Sequence, residues 1–231
     1  MLFLSPITAI TSLYVAVSYG YLYLMFTTIT TVFQETYGFT TGTVGLAYLG
    51  LGIGSLIGIA YTSITSDRII RKKKAAAANT TDTDTDTDTD TENGGTVKPE
   101  YRLAALPLGS FLIPASLFLY GWTAQYKIHW IVPIISHVPI GIGNLIIFMS
   151  IQMYLVDSFT VYAASAIATN TVVRSVASAL LPMASLPLFD TLGLGWGNSL
   201  LGFIALATIP ASFALIKWGG YLRQKYEIKN L

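Results

Sequence analysis

The chain has 231 residues, 53% hydrophobic and 11% charged, with a net charge of +1 and no cysteine. A soluble domain carries about 25% charged residues, so an ordinary soluble globular protein is excluded, and the missing thiols exclude disulfides, thiol catalysis and cysteine metal sites. The basic residues flank apolar segments and have no aromatic reading surface beside them, so no nucleic-acid partner is expected.

Six apolar segments, over residues 7–33, 42–65, 103–122, 130–156, 162–186 and 198–217, each approach or exceed the ~20 residues that cross a hydrocarbon core. The sequence therefore predicts an all-α, polytopic membrane protein in which the lipid bilayer replaces water as solvent. The first segment has no basic region before it, exceeds the ~7–15 apolar residues of a signal peptide and lacks a small-residue cleavage site, so it is read as a retained span. The thirteen Lys and Arg divide unevenly. Arg68, Arg71, Lys72, Lys73, Lys74, Lys98 and Arg102 lie between the second and third segments, and Lys217, Arg223, Lys225 and Lys229 follow the sixth. Lys127 alone sits in a loop on the opposite side, and Arg174 lies inside a span. Positive charge accumulates on the cytoplasmic face, so both termini and the basic loop are expected there. The organisation expected is two spans in 1–66, a cytoplasmic loop in 67–102, four spans in 103–217 and a cytoplasmic tail in 218–231.

The first span is rich in hydroxyls. Tyr19, Tyr23 and Phe26 share one helical face, with Thr27 and Thr30 beside them. Hydroxyls away from the interfaces prefer protein or water to lipid, so this face lines a cavity for a flat, partly apolar molecule or packs on a helix with local hydroxyl bonding. In the second span Gly50, Gly54 and Gly58 form two successive GxxxG steps, a face on which another helix packs closely.

The loop contains a Thr-Asp repeat within residues 75–97, expected to be disordered. Asp82, Asp84, Asp86, Asp88 and Asp90 are open to two readings: a cation site or tether to the basic cluster, or a repeat expansion that a solvated loop tolerates. The fourth span carries Pro133, Pro139, Gly141 and Gly143, which predict a bent or locally opened helix. It also holds Asn144, the best candidate for a polar contact at depth. His129 and His137, eight residues apart without an acidic neighbour, make poor metal ligands, and no metal or other cofactor is expected.

Arg174, about twelve residues into the fifth span and so roughly 18 Å deep, is the most expensive residue. Near mid-membrane it costs about 2.5–3.5 kcal/mol on insertion scales, so it should face protein or water. It would bind an anionic or carbonyl-bearing substrate or lock a helix interface. No Asp or Glu lies in the middle of any span, and Glu35 and Asp157 sit near span ends. No metal cluster, nucleophile elbow or paired mid-span acids can be found, so an enzyme is not expected and no catalytic residues are assigned.

Several blocks together are specific. The segments over 5–28, 32–58, 99–124, 129–135, 154–175 and 192–201, among them SPITAITSLYVAVSYGYLYLMFTT, PEYRLAALPLGSFLIPASLFLYGWTA and YLVDSFTVYAASAIATNTVVRS, resemble the C-terminal half of fungal major facilitator superfamily drug:proton antiporters. The resemblance covers nearly the whole chain outside the Thr-Asp insert. It implies a six-helix half built from two inverted three-helix repeats, and efflux of a drug or secondary metabolite by alternating access with a second half. That half would be an N-terminal partner or a second copy of this chain. The family's loop motif, Gly-x-x-x-Asp-Arg-x-Gly-Arg-Arg/Lys, is met in part: Asp67, Arg68, Arg71 and Lys72 match, whereas Ser63 and Ile70 replace the glycines. By the same resemblance the first and fourth spans line the cavity, placing Tyr19, Tyr23, Asn144 and Arg174 on or beside the substrate pathway. The second and fifth spans, with the Gly50 face, would meet the missing half, and a plasma-membrane location is implied. The alternative is a truncated, transport-inactive membrane protein, an interaction partner at most.

Overall fold

The computed structural model describes residues 6–79, 99–159 and 162–225, and no strand occurs among them. Helix α1 (Pro6–Tyr37) is followed by a 3-10 turn, Val44–Tyr48, that feeds α2 (Leu49–Asn79). A second 3-10 segment, Pro99–Ala105, leads into α3 (Leu106–Gln125), then α4 (Ile131–Ser136), α5 (Val138–Ser158), α6 (Ala163–Met183) and α7 (Ser185–Lys225). Six stretches among these residues are long and apolar enough to cross a membrane, the fourth of them α4 and α5 taken together.

The fourth span breaks at His137. Pro139 has no N–H to close a helical bond across the junction, and the His137 Nδ1 and Ser136 Oγ both bond the Pro133 carbonyl, at 2.5 and 2.7 Å. Two expected boundaries move. Helix α2 continues beyond its apolar stretch to Asn79, so residues 67–79 of the expected loop are helical, and they end on a run of alanines, which favours helix. The aspartates of the repeat lie outside the described residues. Residues 187–197, expected to interrupt the fifth and sixth spans, are helical apart from Gly193 and extend the sixth span back to Pro187.

Gly193 sits at φ 73°, ψ 169°, a region open essentially to glycine alone. The neighbouring Gly195 N–H donates to Gln125 Oε1 at 3.0 Å, which fixes the kink against the end of α3. Gly193→Ala is expected to cost about 1–3 kcal/mol, read as a lower melting temperature of the purified protein, with an unchanged one counting against a fixed kink.

The helices pair in an ordered way. Helix α1 packs along α6, α2 along α5, and α3 along α7, while α5 also runs against α3. In span order these are contacts of the first with the fifth, the second with the fourth, and the third with the sixth. Exchanging the two triplets turns the first contact into the second and leaves the third unchanged, the relation expected of two three-helix repeats about a pseudo-two-fold axis.

Small residues set the separations. A Cβ on Gly50 or Gly54 would run into the carbonyl oxygen of Ile134 or Val138, and one on Gly58 would lie 2.7 Å from the Ile142 oxygen. Gly141 reciprocates, its Cβ position 2.6 Å from the Leu51 oxygen, and Gly109 and Gly143 meet in the same way between α3 and α5. The glycine face of α2 is thus filled by α4 and α5 of the same chain. This corrects the expectation that it meets a missing half: the face is already closed by backbone-to-backbone contact.

Candidate functional site

Burial of hydroxyls along α1 separates the two readings of its polar face. Thr27 and Thr28 donate to the Leu24 carbonyl at 2.9 Å, and Thr11 donates to the Ile7 carbonyl at 2.8 Å. These threonines satisfy themselves within their own helix. The tyrosines reach outward instead. Tyr14 bonds Ser110 Oγ of α3 at 2.5 Å, and Tyr19 turns to α5 and α6.

Three spans converge at Tyr19. The Arg174 guanidinium, from the middle of α6, lies 4.5 Å from the Tyr19 ring centroid and 5.7 Å from that of Phe148 on α5. The two rings meet edge to face at 5.2 Å. A cation over an aromatic face is stabilised by the ring quadrupole, by about 2 kcal/mol where water is excluded. The rings therefore replace part of the hydration that Arg174 gives up. Among the described residues no carboxylate pairs with it, and its buried Nε has no hydrogen-bond partner.

Asn144, fully buried and one turn before Phe148 on α5, donates from Nδ2 to the Ser18 carbonyl at 2.8 Å. That bond ties α5 to α1 beside Tyr19. Tyr23 stands apart from this cluster. It is 40% exposed and meets Phe26 edge to face at 5.7 Å, and Phe26 in turn packs on Tyr48. The Tyr48 hydroxyl donates to the Phe26 carbonyl at 2.9 Å and also bonds Thr30 Oγ1 at 2.7 Å. Tyr23 thus belongs to an open aromatic row, while Tyr19, Asn144 and Arg174 come together. His137 is enclosed at the α4–α5 junction against the Tyr120 ring, 4.4 Å between centroids, and no group of three or more metal-ligating side chains occurs among the described residues.

Asp67, Arg68 and Arg71 are exposed on the extension of α2, whose helix also includes Lys72. Immediately before them lies a cluster that charge counting passed over. Arg102 donates from Nε to Asp157 Oδ2 at 2.8 Å and from a terminal nitrogen to Ser66 Oγ at 2.7 Å. It joins α2, within its second half, and the end of α5 to the 3-10 segment that precedes α3. Sequence reading took Arg102 as a topology signal and Asp157 as a span end. It also missed Phe148, whose i, i+4 spacing from Asn144 was the available signal, and Asn170 and Ser178, which flank Arg174 at the same spacing.

Six membrane-length spans among the described residues, arranged as two related triplets with polar and aromatic side chains from three of them meeting at mid-span, define an integral, multi-pass membrane protein built as half of a two-half carrier fold. The profile of the Major Facilitator Superfamily matches residues 1–182, and the chain belongs to that family. It is 56% identical over 215 residues to the MFS-type transporter penM of Penicillium rubens, covering 92% of this chain and 39% of that protein. It is 50% identical over 227 residues to the MFS-type transporter tndD of Aspergillus flavipes, covering 98% and 40% respectively. The efflux pump radE of Floropilus chiversii is 43% identical over 231 residues, covering 99% and 40%. The chain thus spans about 40% of the length of these curated relatives. No solved structure matches it.

Proposed function

We propose that this chain is one half of a secondary carrier that exports a small amphipathic compound, a drug or secondary metabolite, by alternating access against a second six-helix half. The observation that carries this reading is the meeting of Tyr19, Phe148 and Arg174, from three spans, around a cation with no counter-ion among the described residues. A costly mid-membrane charge held by rings and left without a carboxylate suits a pathway better than an interface lock. Tyr23 and Phe26 continue the same face of α1 as an exposed row that a flat ligand can stack upon.

The uncovered helices favour a partner. In their most apolar windows α6 is 17% buried and α2 33%, the two lowest values among the six spans, against 61% for α1. Leu49, Ile53, Leu56 and Ile57 on α2, and Val172, Val176 and Leu180 on α6, are exposed. A second half, either an N-terminal partner or a second copy, would lie against these faces and close a cavity whose wall carries Tyr19 and Arg174. In this reading the termini and Asp67–Lys72 are cytoplasmic, the membrane is the plasma membrane, and Arg102 braces the cytoplasmic helix ends.

The test is efflux of a fluorescent amphipathic dye from cells producing either this chain alone or the chain fused behind the N-terminal half of a 50%-identical relative. Efflux by the fusion but not by the isolated chain is the expected result. Two inert proteins, both correctly inserted, would favour the transport-inactive alternative.

A further inference from the structure

The cluster around Arg174 holds buried hydrogen-bonding groups that no described residue uses. Asn170 is 1% exposed, and neither its Oδ1 nor its Nδ2 has a partner. Ser178 Oγ, the Arg174 Nε and the Asn144 Oδ1 are likewise buried without one. Asn170, Arg174 and Ser178 follow at intervals of four, so they rise along one face of α6, about 6 Å apart. Other hydroxyls of this helix behave differently: Thr169 and Thr171 donate back to the carbonyls of Ser165 and Ile167 at 2.9 Å. On α6 the buried groups without a partner among the described residues therefore all belong to the row that carries the arginine.

Counted as chemistry, the row is a donor site. A guanidinium offers five N–H donors, a carboxamide two and a hydroxyl one. The acceptors alongside are neutral amide and hydroxyl oxygens, and Asp157 is held by Arg102. Stacking over Tyr19 covers a face of the guanidinium and leaves its N–H edge, the planar fork that takes a carboxylate through two parallel bonds. A half-buried cation without a counter-ion carries a desolvation cost, and a ligand bearing the missing anion offsets it on binding. A neutral carbonyl would satisfy one donor and leave the charge.

We infer that the Asn170–Arg174–Ser178 row recognises the ionised carboxylate of an aromatic organic acid, with Tyr19 and Phe148 flanking its ring. This rests on the reading that the cluster faces the translocation cavity. The carboxylate takes the guanidinium edge, Asn170 Nδ2 donates to an oxygen left free, and Ser178 supplies a further donor one turn on. Asn170 is the specificity residue that the fold adds to Arg174.

The chain fused behind the N-terminal half of a 50%-identical relative, in lipid nanodiscs, would be titrated at neutral pH with 1-naphthoate and with 1-naphthamide, its neutral counterpart of the same ring, by saturation-transfer NMR and radiolabel displacement. Naphthoate is expected to bind at least about tenfold more tightly, the scale of a hydrogen bond to a charged group. Arg174→Gln should abolish that preference, Asn170→Leu should reduce it severalfold, and Arg174→Lys, which keeps the charge without the fork, should fall between. Monodisperse elution and unchanged helicity would qualify each variant, and Asn170→Leu, an apolar change in an apolar span, serves if Arg174→Gln does not insert. Equal binding of the two probes by the unaltered fusion, or a preference that survives Arg174→Gln, overturns the inference while leaving the cavity in place. Binding of neither probe overturns the cavity reading and this inference with it.

Discussion

Gly54→Leu is expected to prevent α2 from seating on α5, whereas Gly52→Leu, two residues earlier on the same helix, is expected to be tolerated. A Cβ at Gly54 meets the carbonyl oxygen of Val138, with the carbonyl carbon and Cα of the same residue at 3.0 and 3.1 Å. All three are backbone atoms, so no rotamer change relieves the clash and one helix must move. Movement is costly on this face, because Gly50 and Gly58 hold the same register a turn to either side and Gly141 closes it from α5. Overpacking a tight interface costs about 1–3 kcal/mol and more where backbone must shift, and the upper end applies here. A Cβ at Gly52 meets nothing within 4 Å. Both substitutions place the same side chain on the same helix, so propensity and lipophilicity cancel between them. Thermal melting followed by fluorescence-detected size exclusion reads the difference. Equal melting temperatures for the two variants would remove the glycine face as the determinant of the α2–α5 separation.

That face also marks where sequence legibility stops. Spacing of four put Gly50, Gly54 and Gly58 on one side of a helix, and close approach followed from their size. Periodicity contains no information on which helix approaches, so the partner was assigned to a missing half when the chain's own fourth span fills the groove. Arg174 was legible for a different reason: a charge in an apolar span is conspicuous because it is costly. Its neighbours were not, since aromatic residues occur throughout these spans and only the folded chain brings Tyr19 and Phe148 to one guanidinium. Tyr23 shares the helical face of Tyr19, yet the packing of α6 places the cation beside the first ring and leaves the second in an exposed row. Arg102 was legible as charge and invisible as structure, because its partners Ser66 and Asp157 lie 36 and 55 residues away. The six spans themselves were the most readable feature, being a property of composition over windows of twenty residues. Residues 187–197 escaped because their glycines mimic a loop, although a single glycine, Gly193, departs from helical geometry.

Arg174→Ala, in a fusion that supplies the second half, is expected to lower efflux at least about tenfold while leaving the protein as stable as before or more so. The two directions follow from different energies. Removing arginine from mid-membrane relieves about 2.5–3.5 kcal/mol of insertion cost, and what is lost in exchange, the ring contact, is worth about 2 kcal/mol. Stability therefore does not fall. Transport falls because the cation held at the meeting point of α1, α5 and α6 no longer acts on the ligand. A structural arginine would behave the other way, with melting temperature and efflux declining together. Tyr19 separates the contributions further. Tyr19→Phe keeps the ring beneath the guanidinium, and Tyr19→Leu removes it, so the second should reduce efflux more than the first. Efflux normalised to protein in the membrane, measured beside thermal melting of the same variants, distinguishes the cases. Undiminished efflux in Arg174→Ala would place the pathway elsewhere in the bundle. A fall in efflux matched by a fall in melting temperature would make Arg174 a brace between helices, with Tyr19 and Phe148 its supports and not the walls of a cavity.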